Sequence, residues 1–317
     1  MATTMESSGQ PGGDKSDSCV LEMARGLLFT RPLAPRSKRA LEYQWTHRPL
    51  ASYVRESIWK FFSERHYEVP FEIPWHRDLW MRLNLGNELS RALFVDGEFD
   101  PNELCLLQTI LRPGAHFMDI GAHEGAYTLF AARCVEGNGH VWSCEPSLRE
   151  REALTHNIGR NRLDNVTVLP YALAQAGGEG ELKIASGGRS GHNTLGGVVW
   201  DGVSVVRSET VPLRSLDAVA AEIGLSRLDL VKMDAEGAEM RIIQGGSQVL
   251  RELRPALLFE AQDESLRLQG GSLDGLLTAI RGLDYTIYAF DPDTGLPTAE
   301  PGPGDLNLVA VPRRASA

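Results

Sequence analysis

The residues whose types and spacing best suggest chemistry lie at 117–128, where the chain reads Phe-Met-Asp-Ile-Gly-Ala-His-Glu-Gly-Ala-Tyr-Thr. A short apolar run ends at Asp119, Gly121 and Gly125 follow, and residues 127–135 are apolar at helical spacing. This pattern predicts a strand, a tight glycine turn and a helix whose first amides face the end of the strand. In open α/β sheets, that arrangement forms a ligand site.

The positions of the glycines indicate which ligand the turn accepts. Dinucleotide-binding turns follow G-x-G-x-x-G, and their second glycine lets the backbone approach a pyrophosphate. This chain has His123 at the second position and Ala126 at the third, so the imidazole would collide with a pyrophosphate. The turn instead favours a ligand without phosphate, such as S-adenosylmethionine, whose amino-acid part the turn's amides and Asp119 can hold.

Carboxylates follow the other predicted strands. Glu145 ends the strand at 140–145, where a carboxylate can accept hydrogen bonds from both hydroxyls of a ribose. Asp234 ends a later strand, and Glu236 and Glu260 also lie close to strand ends. Because the carboxyl ends of parallel strands share one rim, we expect these acids to meet although they are far apart in sequence.

Two routes for removing a proton from a bound hydroxyl stay open. In the first, His192 acts as a general base because its unperturbed pKa lies near neutrality, while Asp234 orients the acceptor and Glu236 is a further candidate base. His192 lies in the glycine-rich segment 187–197, which is predicted to be a mobile lid. In the second route, Asp234 with Glu236 or Glu260 binds a divalent cation that lowers the pKa of the hydroxyl. We favour the first route and assign no metal site.

The second half of the chain alternates strands with helices. Asp-Pro-Asn-Glu at 100–103 reads as a capping box that opens a helix through residue 111. Further strands are predicted at 140–145, 166–169, 181–184, 204–213, 228–233, 256–260, 285–290 and 306–311. The alternation predicts an α/β domain over residues 100–317, with a mainly parallel, doubly wound sheet and helices on both faces.

Ahead of this domain, residues 19–99 are predicted to form an accessory cap, preceded by a disordered tail at 1–18. The pattern predicts a helix ending near residue 65 and a hairpin with strands at 69–73 and 79–85. Four of the six tryptophans lie between positions 45 and 80, which favours the core of a cap over a substrate pocket.

The composition limits the partners and the compartment. A formal net charge of -10, without a long basic cluster in the second half, argues against nucleic acid as the main partner. The basic stretch at 31–48 reads as a solvated arm. The four cysteines show no paired spacing, and no segment reads as a signal peptide or a membrane span, so a cytoplasmic location is expected.

Several segments together resemble the FkbM family of S-adenosylmethionine-dependent methyltransferases. They are the turn at 119–128, Glu145-Pro146, Gly-His-Asn-Thr-Leu at 191–195, Val-Lys-Met-Asp-Ala-Glu-Gly-Ala-Glu at 231–239, and the strand at 254–260. The resemblance covers about residues 84–311 and implies a Rossmann-like class I methyltransferase fold. The family usually has Asn at the position of His123.

The resemblance also implies site residues. By motif match, Asp119, Gly121 and Gly125 face the methionine part of the cofactor, Glu145 faces the ribose, and Asp234 lies at the transfer centre. The full set of cofactor-contact candidates is Asp119, Gly121, Ala122, His123, Gly125, Tyr127, Thr128, Glu145, Pro146 and Asp234. The catalytic candidates are His192, Asp234 and Glu236.

The implied activity is O-methyl transfer from S-adenosylmethionine to a hydroxyl of a small molecule, natural product or glycan. Two alternatives stay open. One is an NAD-dependent oxidoreductase, against which the clash at His123 argues. The other is a catalytically inactive cofactor-binding protein that uses its aromatic N-terminal region to bind a partner, and the intact Asp119 and Glu145 argue against it.

Overall fold

The structure is a computed structural model that describes residues 49–67, 69–76, 78–97, 99–199, 203–291, 294–302 and 304–313. The predictions for the tail at 1–18, the basic stretch at 31–48 and Trp45 lie outside these residues.

The described chain contains ten α-helices and thirteen strands, joined in part by short π and 3-10 helices. In chain order the elements are α1 (Pro49–Glu64), β1 (Val69–Trp75), β2 (Leu79–Leu85), α2 (Glu88–Ser90), a π-helix (Arg91–Asp96), α3 (Pro101–Ile110), β3 (His116–Ile120), α4 (Ala126–Val135), β4 (His140–Cys144), α5 (Leu148–Arg160), β5 (Val166–Leu169), β6 (Ala172–Leu173), β7 (Gly178–Ala185), a 3-10 helix (Gly187–His192), β8 (Val205–Arg214), α6 (Leu216–Glu222), β9 (Leu230–Met233), α7 (Glu239–Gly245), α8 (Ser247–Glu252), β10 (Ala256–Glu260), α9 (Asp263–Leu268), α10 (Leu273–Gly282), β11 (Tyr285–Phe290), β12 (Pro297–Ala299) and β13 (Asn307–Pro312). None of the described helices has both the length and the apolar character needed to cross a bilayer.

The central sheet has eight strands in the order β12-β11-β13-β10-β9-β3-β4-β5. β5, β4, β3, β9 and β10 run parallel, and β13 is inserted antiparallel between β10 and β11. β1 and β2 form a hairpin, and β6, β8 and β7 form a three-stranded sheet. The predicted α/β fold with a mainly parallel, doubly wound sheet is confirmed. Strand order reverses beside β3, and open α/β sheets bind ligands at such a point.

Alternating side chains of the central strands enter two apolar cores. Phe117 of β3 and Leu230 of β9 belong to the core on one face, whereas their neighbours Met118 and Val231 belong to the core on the other. The first core also receives side chains from α1, the hairpin, α3 and α4, and the second from α6 to α10. Strands covered on both faces are apolar throughout, which explains the short apolar runs in the sequence.

The N-terminal helix and hairpin form where the sequence predicts them. α1 buries Ile58 and Phe62, and alternate residues of β1 and β2 are buried. Trp75 is completely buried. The same core contains Phe117 of β3, so this region packs directly on the central sheet.

The predicted capping box at the start of α3 is wrong. Asp100 has a left-handed backbone conformation, with φ 40° and ψ 58°, and its side chain makes no capping hydrogen bond. Instead, Asp100 Oδ2 accepts a hydrogen bond of 2.7 Å from the hydroxyl of Tyr127. A tertiary partner thus takes this side chain away from the helix start.

Candidate active site

The carboxyl ends of β3, β4 and β9 open onto a cavity of about 380 Å³, a volume typical of small-molecule sites. Nine of the twelve predicted site residues line it, namely Gly121, Ala122, His123, Tyr127, Glu145, Pro146, His192, Asp234 and Glu236. The other three, Asp119, Gly125 and Thr128, are not among the lining residues. The described tryptophans do not line the cavity either.

Gly121 lies where the glycine turn touches the end of β9. Its φ of 77° is in the left-handed region, and an added Cβ would lie 1.9 Å from the backbone oxygen of Asp234. No side chain fits there, so the position requires glycine. His123 in the same turn has φ 52°, which is uncommon for a residue other than glycine.

The variant Gly121→Ala should therefore lose stability. The left-handed backbone costs about 1–3 kcal/mol for alanine, and the overlap with backbone atoms that cannot move aside adds to it. Chemical denaturation measures the loss. Gly137→Ala is the matched control, because an added Cβ at Gly137 meets no atom within 4 Å. Equal stability of the two variants would contradict the close approach.

The amides of the turn are bonded within the protein. Gly121 and Ala122 both donate to the carbonyl oxygen of Cys144, at 3.0 and 3.1 Å. His123 donates its amide to Glu145 Oε2 at 2.8 Å. These three amides therefore already have acceptors within the protein, and a cofactor contact by the turn's amides stays a prediction. Gly121 lines the cavity, and the space where a Cβ would lie is filled by the backbone of Asp234.

Asp119, Thr128 and Gly125 support the turn from behind. Asp119 is completely buried, and its Oδ2 accepts a hydrogen bond of 2.6 Å from the hydroxyl of Thr128. Its Oδ1 lies 3.7 Å from Nζ of Lys232. An added Cβ on Gly125 would lie 2.6 Å from the side chain of Leu154. The direct contact expected between Asp119 and the methionine part of the cofactor does not fit this position.

Glu145 is held at the cavity wall by two backbone amides. Oε1 accepts a hydrogen bond of 2.9 Å from Ser147, and Oε2 accepts the one from His123. Burial, together with the charge of Glu150, raises the pKa of Glu145 to about 8. Each carboxylate oxygen can accept a second hydrogen bond, so an anchored carboxylate at the end of β4 suits the hydroxyls of a ribose.

His192 lies between two carboxylates. Its Nδ1 is 3.0 Å from Glu236 Oε1, and its Nε2 is 3.1 Å from Glu88 Oε2. Burial alone would lower the pKa of the imidazole, but the hydrogen bonds to Glu236 and Glu88 outweigh burial and raise the pKa to about 9. The expectation of a near-neutral pKa is therefore wrong. At neutral pH, His192 is an imidazolium that donates protons rather than accepting them.

The turn after β9 fixes Glu236. Its φ is 49°, and its carbonyl oxygen accepts hydrogen bonds from the hydroxyl of Thr194, at 3.0 Å, and from the side-chain amide of Gln269, at 2.9 Å. Thr194 also forms a β-bridge with Lys183. These contacts join segment 187–197 to the end of β9, which explains how His192 reaches Glu236.

Lys232 and Glu88 also line the cavity, although neither is a predicted site residue. Nζ of Lys232 lies 3.2 Å from Asp234 Oδ2 and donates to the carbonyl oxygen of Gly121 at 3.2 Å. Burial alone would lower the pKa of Lys232, but the charges of Asp234 and Asp119 outweigh it and raise the pKa. The sequence could have indicated Lys232 as a site residue, because a lysine within an apolar strand is unusual. Nothing in the sequence around Glu88 indicates that it lies at the site.

The acids at the end of β9 and β10 converge as expected. Oxygen atoms of Asp234, Glu236 and Glu260 lie within 4.8 Å of one another. Burial and the charges of Asp234 and Glu236 raise the pKa of Glu260 to about 10. The raised pKa reflects how closely the three acids approach one another, a spacing that would also suit a divalent cation.

Comparison with known proteins identifies the family of the chain. Residues 119–287, more than half of the chain, match the family model described as the methyltransferase FkbM domain. The chain is 26% identical over 243 residues to the AMB antimetabolite synthetase AmbE of Pseudomonas aeruginosa, covering 67% of this chain and 11% of AmbE. It is 26% identical over 175 residues to the 2-O-methyltransferase NoeI of Sinorhizobium fredii, covering 51% of this chain and 69% of NoeI. The chain thus spans about a tenth of the length of AmbE.

Two solved structures are similar at low identity. The methyltransferase FkbM of Methylobacillus flagellatus has a TM-score of 0.40 and 18% identity, covering 69% of this chain and 52% of that one. The O-methyltransferase of Bacillus cereus, in complex with SAH, has a TM-score of 0.40 and 16% identity, covering 68% of this chain and 83% of that one. The family match excludes the alternative of a nicotinamide-dependent oxidoreductase. The chain belongs to the FkbM methyltransferase family.

Proposed function

We propose that this methyltransferase transfers the methyl group to a hydroxyl oxygen of a small molecule, natural product or glycan. The observation that carries the proposal is the cavity at the carboxyl ends of β3, β4 and β9. One wall holds the glycine turn and Glu145, and another holds the paired side chains of His192 and Glu236. The name of NoeI describes 2-O-methyl transfer, which supports a hydroxyl acceptor here.

The residues along the first wall would hold the cofactor. Gly121 lines this wall, and Glu145 accepts hydrogen bonds from the ribose hydroxyls. The other contacts come from Ala122, His123, Tyr127 and Pro146. S-adenosylmethionine, when bound there, supplies a methyl group activated by a positively charged sulfur.

The chain's own task is to orient the acceptor hydroxyl and take one proton from its oxygen. We assign the proton to a carboxylate oxygen of Glu236, because the charged His192 beside it favours the ionised carboxylate. A hydroxyl becomes far more acidic as its oxygen gains a methyl group, so a carboxylate suffices as the base. Asp234, bound to Lys232 and 44% exposed, orients the hydroxyl.

Methyl transfer should not change when divalent cations are removed. In the assigned roles the charged His192 lies 3.0 Å from Glu236 and no step uses a cation. Treatment with a chelator followed by dialysis, with activity measured before and after addition of Mg²⁺, tests this. Loss of activity with the chelator and its return with Mg²⁺ would instead support the cation route.

Segment 187–197 should act as a lid that closes on the ligands. Ser190 contacts His123 and His192 contacts Glu236, so the segment reaches both walls of the cavity. Trypsin should cut after Arg189, whose side chain is 46% exposed, and cofactor with acceptor should suppress the cut. Cleavage after Arg227, 58% exposed, is the control and should not change. Equal cleavage at Arg189 with and without ligands would indicate a fixed loop.

A search for methylated products tests the proposed function. The protein is incubated with S-adenosylmethionine and a panel of hydroxylated compounds, or with an extract of the source cell, and mass spectrometry detects products that have gained one methyl group. Fragmentation then locates the methyl group. Methylation at nitrogen or carbon would contradict the hydroxyl acceptor. Cofactor binding without any turnover would support the inactive alternative.

A further inference from the structure

Glu88 contacts His192 from outside the matched family region, which begins at residue 119. Its Oε2 lies 3.1 Å from His192 Nε2, and its Oε1 accepts a hydrogen bond from Arg189. Glu236 holds the opposite nitrogen of the same ring. Carboxylates from two distant elements, α2 and the turn after β9, therefore hold the imidazole at both nitrogens.

The helix that carries Glu88 is itself fixed against the glycine turn. Asn87 caps this helix, since its Oδ1 accepts a hydrogen bond of 2.8 Å from the amide of Ser90. Its Nδ2 donates at 2.9 Å to Oε1 of Glu124, a residue of the glycine turn. The backbone of α2 at Glu88 is therefore fixed, and the Glu88 carboxylate can hold the His192 ring in one position.

The 3-10 helix that carries His192 is held on a second side by the glycine turn. The hydroxyl oxygen of Ser190 lies 3.0 Å from Nε2 of His123, and Ser190 is buried. α2 and the glycine turn thus fix this short helix between them. The position of the His192 ring depends on both.

We propose that Glu88 is a positioning residue of the methyl-transfer site. It holds the His192 ring from the side opposite Glu236, and through that ring it fixes the carboxylate that takes the proton of the acceptor. The role of Glu88 in catalysis rests on the proposed function, whereas its contact with His192 does not. The N-terminal accessory region, whose Leu89, Ala92 and Phe99 also line the cavity, thereby contributes a positioning side chain to the site.

A double-mutant cycle tests whether Glu88 acts through His192. Glu88→Gln should lower kcat about tenfold, because the ring loses one of its two anchors, while the acceptor KM and the cofactor affinity stay nearly unchanged. In a His192→Gln background the same change should alter kcat less than about twofold, because the residue that transmits the effect is absent. Equal losses in both backgrounds, or a raised acceptor KM at unchanged kcat, would overturn the proposal.

Glu72→Gln is the matched control. Glu72 also joins a histidine to an arginine, at 2.9 Å from His156 Nε2 and 3.2 Å from Arg160 Nε, but it does not line the cavity. Its substitution should leave kcat unchanged. A comparable loss of kcat in this variant would show that Glu88→Gln reports general weakening of the accessory region, and would overturn the proposal.

A second measurement does not depend on the rate of turnover. In protein with bound cofactor and acceptor, so that segment 187–197 is closed, Glu88→Gln should shift the ring-nitrogen NMR signals of His192, whereas Glu72→Gln should shift only those of His156. Unchanged His192 signals would overturn the contact. If the wild type methylates no acceptor, the proposed function fails, and the ring signals of the cofactor-bound protein still decide whether Glu88 holds His192.

Discussion

Replacing Glu236 with glutamine should lower kcat by about 10²–10⁴-fold, the usual cost of removing a general base. Glutamine keeps the size of the side chain and one acceptor oxygen, but it cannot take the proton of the hydroxyl. Cofactor affinity should stay nearly unchanged, because Glu145 and the glycine turn keep their own contacts. Steady-state kinetics of product formation, with calorimetry of cofactor binding, measure the two effects separately.

The pH dependence of kcat separates this role of Glu236 from the route in which His192 is the base. His192 is charged below its pKa of about 9 and neutral above it. If the charged ring holds Glu236, kcat should fall as the pH rises through this value. If the neutral ring is the base, kcat should rise instead. Glu264→Gln, at an exposed position of α9, is the control and should change neither kcat nor the profile. Wild-type kcat in Glu236→Gln would remove Glu236 from the mechanism.

Above pH 8, where Glu145 is ionised, its replacement with alanine should raise the dissociation constant of S-adenosylmethionine at least about 100-fold. Each hydrogen bond from a ribose hydroxyl to the carboxylate contributes about 1.5–3 kcal/mol, and two are lost. Because burial raises the pKa of Glu145 to about 8, wild-type affinity should increase as the pH rises through this value and the ionised acceptor becomes dominant. Calorimetry over a pH series measures both effects.

Glu145→Gln is the control for this result. Glutamine can still accept one hydrogen bond but has no charge, so its affinity should lie between those of the alanine variant and the wild type, without the pH dependence. Because Glu145 also accepts the amides of His123 and Ser147, thermal unfolding of each variant must accompany the calorimetry. Unchanged affinity in a folded Glu145→Ala protein would rule out the ribose contact.

The elements of the fold could be predicted because their causes are local. A strand or helix buries one face or both, so apolar residues recur at periods of 2 or 3.6 along the chain, and these periods are readable without a structure. The five parallel strands of the central sheet and the hairpin at 69–85 appear in the sequence this way, whereas the short elements Ala172–Leu173, Asp263–Leu268 and Pro297–Ala299 do not. Gly121 could be assigned to a turn from its residue type, because only glycine adopts a left-handed backbone conformation without strain.

Predictions failed where a distant partner competes with a local one. The side chain of Asp100 has the right spacing to cap α3, but the hydroxyl of Tyr127 binds it instead. Asp119 has the right position to face a ligand, but the hydroxyl of Thr128 and the ammonium of Lys232 hold it behind the turn. All three partners lie in other elements, so no spacing along the chain indicates these contacts.

The charge of His192 was decided by the tertiary structure alone. The sequence determined that acids gather at one rim, because the ends of parallel strands meet there. It did not determine which acid pairs with which base. The fold places Glu88 and Glu236 on the two nitrogens of His192, and these contacts turn an expected neutral base into an imidazolium. A pKa depends on charges within a few ångströms, and only the packing of distant segments sets those distances.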